Sequence, residues 1–316
     1  MASLDLPIVD ATARGGDVEQ LARAVGRAAR ATGFFYLSGH GIPRDLVRAV
    51  FQHTAAFFAR DEAAKRELAA SRSADGRGYV PFGAERLDPA RPADLREAFN
   101  IGLELQQDHP EMAMGMPMRA PNQWPADRAF RHTMQAYFWA CWSVGRRLHQ
   151  AIARDLGLPA DFFEDKFDRP LATLRLLHYL PHPPAGPDGP IGAGEHTDSN
   201  ALTLLMTDGS AGLEVRRPDG SWLPVPHVPG AFVVNIGDCL VRWTNDTYVS
   251  APHRVVNRNP AGRYSLAFFL GPNPEASVAV LPTCIAPDRP ARYAPISGAA
   301  YSRERPYPGF AHQQAG

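Results

Sequence analysis

LATLRLLHYL, residues 171–180, opens the part of the chain that decides the fold, because short apolar runs then recur as far as residue 270. ALTLLMT (201–207), GLEVRR (212–217), AFVVNIG (231–237), CLVRW (239–243), HRVVN (253–257) and YSLAFFL (264–270) are separated by links rich in Gly, Pro, Asn and Asp. Several short strands at regular spacing predict a sandwich or barrel. Within them RRPDGSW (216–222) sets an Asp-Gly pair between two strand-like runs, which is a hairpin signal. PHPPAGPDGPIGAG (181–194) is too rich in Pro and Gly to be regular, and it leads into GEHTDSN.

Upstream the texture is helical. LPIVD (6–10) reads as a short first strand, and residues 17–31 as an amphipathic helix with Val18, Leu21, Ala22, Val25 and Ala28 on one face. Asp17 is its candidate N-cap and Gly33 lies just past its end. GFFYLSG follows as a buried strand, and Pro43 starts a second helix with a stripe of Leu46, Val47, Val50, Phe51 and Phe58. The stretch 69–93 reads as a loop interrupted by GYVPFG, and 112–125 as a proline-broken connection. The longest helix is expected over 127–157, where Phe130, Met134, Tyr137, Cys141, Val144, Leu148 and Ile152 recur at steps of three or four before Gly157-Leu158-Pro159. That stripe reads as packing against a sheet.

The chain has 316 residues, with 33 Lys and Arg against 33 Asp and Glu and no basic block. Electrostatics therefore give no reason to expect nucleic acid or an anionic membrane as a partner. MASLDLPIVDATARGGD lacks the regions of a signal peptide, and no apolar stretch approaches transmembrane length. Cys141, Cys239 and Cys284 are scattered and odd in number, which fits reduced thiols and a cytoplasmic setting.

His196 and Asp198 stand two apart in GEHTDSN, so in an extended segment both side chains reach one side. His253 begins the HRVVN run. Two imidazoles and one carboxylate on one face of an ion, with the other face open, is the ligand set of non-haem iron(II) oxygenases. Most of the 11 histidines must do something else: His109, His132, His149 and His312 read as surface or packing residues, and His178 and His182 as neighbours of the Tyr179 segment. Arg263 and Ser265 also share a face, with Ala267 and Phe269 further along it. A buried arginine is costly unless paired, and its planar fork suits a carboxylate to which a serine hydroxyl adds a third bond.

With these pieces in order, the chain resembles the isopenicillin N synthase-like branch of the 2-oxoglutarate and iron(II)-dependent oxygenases over nearly its whole length. GFFYLSGHGIP (33–43) resembles the N-terminal signature and DLREAFNIG (94–102) the middle segment. HTDSNALTLL, VVNIGDCLVRWTND and the APHRVVN–RYS pair resemble the metal and co-substrate core. The resemblance implies a mainly β fold with flanking helices: a double-stranded β-helix, or jelly roll, with an N-terminal α/β covering layer and one long helix. It implies a single oxygenase domain over 1–316, with a helix-rich part to 170, the core over 171–275 and an extension over 276–316. It further implies His196, Asp198 and His253 as Fe(II) ligands, and Arg263, Ser265 and Tyr179 as contacts to 2-oxoglutarate. The segment here is HYLP where the family commonly has HYPP. The expected reaction consumes O2, oxidises a small-molecule substrate by hydroxylation, desaturation or cyclisation, and releases succinate and carbon dioxide.

A pocket above the metal is the expected substrate site. Asn200, Phe82, Tyr79 and Arg96 are the candidate contacts, and Val80, Phe99 and Trp243 lie in segments able to reach the mouth. Asn235, Asn245 and Asp246 read as turn and supporting residues, Arg96 and Glu97 alternatively as a local pair, and 287–310 as either a lid or a surface tail. Three competing readings exist. An oxidase of the same fold would anchor a substrate carboxylate on Arg263 and Ser265 without using 2-oxoglutarate; a zinc hydrolase would use the same triad; a non-catalytic barrel would use none of it.

Overall fold

Asp127 starts the longest helix by accepting hydrogen bonds from the backbone N–H groups of Ala129 (2.9 Å) and Phe130 (3.3 Å). In the computed structural model, which describes residues 6–12, 18–106, 108–116, 119–180, 191–257 and 262–305, that helix spans Arg128–Asp155. All seven residues of its expected stripe are buried, and Gly157 takes φ +71° just past its end.

In chain order the elements are β1 (Ile8–Asp10), α1 (Val18–Ala31), β2 (Phe34–Ser38), α2 (Arg44–Phe58), α3 (Glu62–Arg66), β3 (Gly78–Val80), β4 (Arg96–Gly102), α4 (Pro110–Ala113) and α5, the long helix. There follow β5 (Ala172–Tyr179), β6 (Ala193–His196), β7 (Leu202–Thr207), β8 (Leu213–Arg216), β9 (Trp222–Pro224), β10 (Phe232–Ile236), α6 (Asp238–Trp243), β11 (His253–Val255), β12 (Arg263–Leu270), β13 (Ser277–Val278), β14 (Ile296–Ser297) and α7 (Gly298–Glu304). The expected cap Asp17, the stretch 181–190 with His182, and residues 306–316 with His312 lie outside the described residues.

The strands form an eight-stranded sheet in the order β1-β2-β10-β7-β12-β5-β4-β3, a four-stranded sheet β6-β11-β8-β9 and a two-stranded sheet β13-β14. Among the strand pairs of the described residues, only β1–β2 is parallel. Alternation along the strands separates two cores. Leu174, Leu176, Leu266, Phe268 and Leu270 face outward and pack with Val25, Val50, Met134 and Leu148 of the helices. Leu177, Tyr179, Ala267 and Phe269 face inward, toward Leu213, Val215, Leu223 and Val255 of the smaller sheet. Two sheets closed on an inner core, with helices over one outer face, are the jelly roll that the strand spacing predicts. Strands β1–β4 of the N-terminal part extend both edges of the larger sheet.

CLVRW departs from expectation: it is not a strand but part of α6. A run of five or six apolar residues carries no decisive period. Here Gly237 precedes a turn in which Asp238 N–H donates to the Asp198 carbonyl (2.7 Å) and Cys239 N–H to that of Asn200 (3.3 Å). Trp243 is therefore driven into the outer core, 1% exposed and 5.4 Å from the Phe163 ring, and does not reach the mouth. The RRPDGSW turn is a hairpin as expected, joining β8 to β9 with Gly220 at φ +84°. No helix of the described residues is long and apolar enough to cross a membrane.

Gly33 ends α1 with its N–H on the Ala28 carbonyl (2.9 Å) at φ +69°, where an added Cβ would lie 2.0 Å from the Val249 carbonyl oxygen. That oxygen belongs to backbone and cannot rotate away. Gly33→Ala is expected to destabilise the fold by about 2–4 kcal/mol, combining left-handed strain with overpacking. Urea unfolding checks this, and a loss below ~0.5 kcal/mol would refute it.

Candidate metal centre

His196 is the last residue of β6 and His253 the first of β11, and the two are direct cross-strand partners with ring centroids 4.2 Å apart. Asp198 lies two residues past His196, in the loop that α6 holds by its backbone N–H groups. Its Oδ2 accepts from Thr203 Oγ1 (2.6 Å) and Asn235 Nδ2 (2.7 Å). Its Oδ1 is buried without a partner and stands 3.8 Å from His196 Nε2 and 3.7 Å from His253 Nε2.

The histidine rings are oriented by backbone. His196 Nδ1 bonds the Gly194 carbonyl (2.8 Å) and His253 Nδ1 the Ala251 carbonyl (3.2 Å). Each Nδ1 therefore carries the hydrogen, and each Nε2 turns a lone pair toward Asp198. Burial, followed by the neighbouring His253, pushes the His196 pKa down to about 3, so the imidazole is neutral at physiological pH. Burial raises Asp198, but the two histidines and the bonds from Asn235 and Thr203 outweigh it and hold the carboxyl below its ordinary value. Three donor atoms within 4.8 Å of one another, two imidazole nitrogens and one carboxylate oxygen, fit a divalent first-row metal. An orphaned buried carboxylate oxygen is the atom that such an ion would satisfy.

Asn235 pairs in register with Thr203 across β10 and β7, so the two supports of Asp198 sit side by side. Outer partners of this kind typically contribute ~10–100-fold in metal affinity. Asn235→Ala is expected to weaken iron binding within that range in an anaerobic titration; unchanged affinity would reduce Asn235 to packing.

Arg263, at the start of β12, is 1% exposed. Its Nη1 donates to Ser265 Oγ (3.3 Å), and its guanidinium lies 4.7 Å from the centre of the Tyr179 ring, the residue directly across the strand pair. Its Nε has no partner, and among the described residues no carboxylate pairs with it. Arg263, Ser265, Tyr179 and Thr207 occupy the end of the inner core away from Thr203 and Asn235.

The four expected mouth residues part company. Asn200 is wholly buried, and its amide is used on the Leu202 carbonyl and Thr203 Oγ1 (3.1 Å), so it braces the Asp198 loop instead of meeting a substrate. Tyr79 points to the outer core, its single hydroxyl hydrogen shared between Glu97 (2.7 Å) and Glu62 (2.9 Å). Phe99 lies in the same outer core, whereas Val80 faces inward and Phe82 is 43% exposed. Arg96 faces inward beside Tyr179 and pairs with Glu85 and Asp94 (3.1 Å each). It makes no local pair with Glu97, because successive strand residues face opposite ways; Glu97 binds Lys65 (2.6 Å) and His178 (2.8 Å) instead. His178 is thus outside the metal centre, stacked on Tyr264.

Asn245 and Asp246 are turn residues at φ 51° and 59°, and they support the C-terminal stretch, not the metal. Asn245 Nδ2 donates to the Cys284 and Pro290 carbonyls, and Asp246 accepts from Tyr293 (2.6 Å). The described part of 287–310 is thus tied against α6, with Tyr301 buried. Thr203, Glu85 and Arg175 were missed from the sequence. Only Arg175 carried a signal there, as a charge inside the apolar run LATLRLLHYL.

Two family descriptions match the chain: "non-haem dioxygenase in morphine synthesis N-terminal" over residues 6–127 and "2OG-Fe(II) oxygenase superfamily" over residues 170–272. The 2-oxoglutarate-Fe(II) type oxidoreductase hxnY of Emericella nidulans is 35% identical over 290 residues, covering 90% of this chain and 83% of that one. Homoarginine-6-hydroxylase 2-ODD-C23.2 of Arabidopsis thaliana is 34% identical over 270 residues, 84% of this chain and 74% of that one. Among solved structures, a 2OG-Fe(II) oxygenase family protein from Caulobacter crescentus superimposes with TM-score 0.86 at 33% identity, over 96% of this chain and 98% of that one. A Neurospora crassa protein solved in complex with alpha-KG and thymine gives 0.82 at 31% identity, over 95% and 96%.

Proposed function

Since the chain belongs to the 2-oxoglutarate- and iron(II)-dependent oxygenases, we propose that His196, Asp198 and His253 hold its iron and that Arg263, Ser265 and Tyr179 hold its co-substrate. The protein is a 2-oxoglutarate-dependent dioxygenase: O2 is the oxidant, which bound iron would activate, and 2-oxoglutarate and the substrate each give two electrons, the former leaving as succinate and carbon dioxide. One observation carries the site assignment: Asp198 Oδ1, buried and without a partner, faces the two imidazole Nε2 atoms at 3.8 and 3.7 Å.

The chain's own residues do the rest. The Gly194 and Ala251 carbonyls keep both histidines in the tautomer that presents Nε2. Thr203 and Asn235 engage one carboxylate oxygen and leave the other for the ion. Arg263 offers a planar fork and Ser265 a hydroxyl to the distal carboxylate, and the ring of Tyr179 stiffens the fork from below. The inner core around Leu177, Ala267 and Phe269 keeps bulk water from the reacting atoms.

The substrate in this reading is a small molecule, a class supported by the Neurospora crassa protein solved in complex with thymine. Its reduced, buried cysteines and its iron(II) chemistry fit a cytoplasmic setting. We read residues 1–316 as one catalytic unit, because strands of the N-terminal part complete the core's own sheet. The oxidase reading loses ground to relatives named for 2-oxoglutarate. The test is anaerobic: iron(II) is added to the apoprotein, then 2-oxoglutarate, and the weak visible charge-transfer band of the chelate is followed. Stoichiometric iron binding without a band would sink the co-substrate assignment.

A further inference from the structure

Among the described residues, three buried polar atoms without a hydrogen-bond partner lie together on one wall of the barrel: Arg96 Nε and Asn100 Oδ1 on β4, and Arg175 Nε on β5. The strand register explains the grouping. Arg96 is opposite Tyr179 and Asn100 opposite Arg175, and all share the inward face with Ala98 and Leu177. Glu85 ties the two arginines together, one carboxylate oxygen on each. Asp94 Oδ1 accepts from the Gly194 N–H (3.0 Å), two residues before His196, and the charge of Arg96 is felt at His196 itself. The wall therefore flanks the metal ligands.

An ion-pair network alone does not account for it. The pairing of Glu85 with both arginines, and of Asp94 with Arg96, engages a terminal nitrogen of each guanidinium and leaves both Nε donors and an amide oxygen unmet among the described residues. Buried groups left so are costly, and native interiors tolerate few of them. Grouped donors and acceptors on the wall of a reaction chamber are what a polar ligand meets.

We propose that this wall is the substrate's polar subsite: Arg175 and Arg96 take a carbonyl or carboxylate oxygen, and Asn100 Oδ1 takes an adjoining N–H or O–H. The substrate class is then a compact molecule carrying such an oxygen close to the carbon that is oxidised. The inference rests on the metal-centre reading above.

The experiment uses enzyme loaded anaerobically with iron(II) and saturating 2-oxoglutarate, so that Arg263 is already engaged. Benzoate, benzamide and toluene, three probes of one shape, are titrated against the charge-transfer band. Benzoate or benzamide is expected to bind and toluene to bind at least ~10-fold more weakly, the worth of one charge-assisted hydrogen bond. Benzoate ahead of benzamide identifies a carboxylate; the reverse identifies a carbonyl. The double variant Glu85→Gln/Arg175→Met, which removes cation and anion together, should lose that preference while its 2-oxoglutarate affinity stays within ~2-fold. Asn100→Ala keeps the ion pairs and should weaken benzamide alone. Should the double variant fail to fold, Asn100→Ala together with the probe ranking decides. Toluene binding as tightly as the other two, a ranking unchanged in both variants, no response to any probe, or a matching fall in 2-oxoglutarate affinity would each overturn the proposal. A missing band before any probe is added is a different failure, that of the metal-centre reading.

Discussion

Asp198→Ala is expected to lower iron affinity by more than ~100-fold and to take turnover to background, while the fold persists. Partners one shell further out contribute ~10–100-fold, so a direct anionic donor should exceed the top of that range. Asp198 is the only carboxylate among the three candidate donors; without it a dication faces two imidazoles and no anionic ligand. Stability moves differently. The metal-free protein holds a fully desolvated carboxylate with one oxygen unmet, so its removal relieves one penalty while leaving Thr203 and Asn235 without their acceptor. These changes oppose one another, and the metal-free melting temperature should shift by only a few degrees. An anaerobic iron titration with parallel thermal melts decides the matter. A variant that binds iron within threefold of the parent and still turns over would remove Asp198 from the centre.

The core was readable because burial on one or both faces leaves a periodic trace. Alternation in RYSLAFFL puts Arg263, Ser265, Ala267 and Phe269 inside and Leu266, Phe268 and Leu270 outside, as found. The stripe on α5 was equally plain, since a helix of 28 residues repeats its period many times. CLVRW failed for the opposite reason: it is too short to show a period, and its conformation is set by a tertiary fact, the docking of its first N–H groups onto the loop carrying Asp198.

The site was legible in its donors and obscure in their surroundings. His196, Asp198 and His253 stand out because chemistry limits which side chains can do that work, and the HxD spacing matches the pleat. The mouth residues were harder, since one register step decides whether a side chain faces substrate or core. Tyr79 falls on the outward step and Val80 on the inward one. Asn200 was misread because position in sequence after Asp198 says nothing of depth; its amide turns back to Thr203. Glu85 escaped because it comes from a loop 90 residues away from Arg175, a distance over which no pattern in the chain operates.

Arg263→Ala should raise the 2-oxoglutarate Kd by at least ~30-fold and leave iron affinity unchanged. Removing one partner of a buried, hydrogen-bonded charge pair costs roughly 2–5 kcal/mol, and each 1.4 kcal/mol is about tenfold. Arg263→Lys restores charge without the planar fork and should recover only part of the loss. Ser265→Ala removes one bond to a charged group and should cost about 1.5–3 kcal/mol at most. In the co-substrate-free protein no carboxylate among the described residues pairs with Arg263, so its removal strands no anion. The packing of its guanidinium on Tyr179 is lost, but so is the desolvation of an unpaired cation. Folding should therefore be nearly unaffected while binding collapses, a separation that a structural arginine would not show. Band titrations with 2-oxoglutarate on the three variants, beside their melting curves, make the comparison. A melting temperature that falls while co-substrate affinity stays within threefold would identify Arg263 as part of the scaffold and leave the carboxylate of 2-oxoglutarate without its anchor.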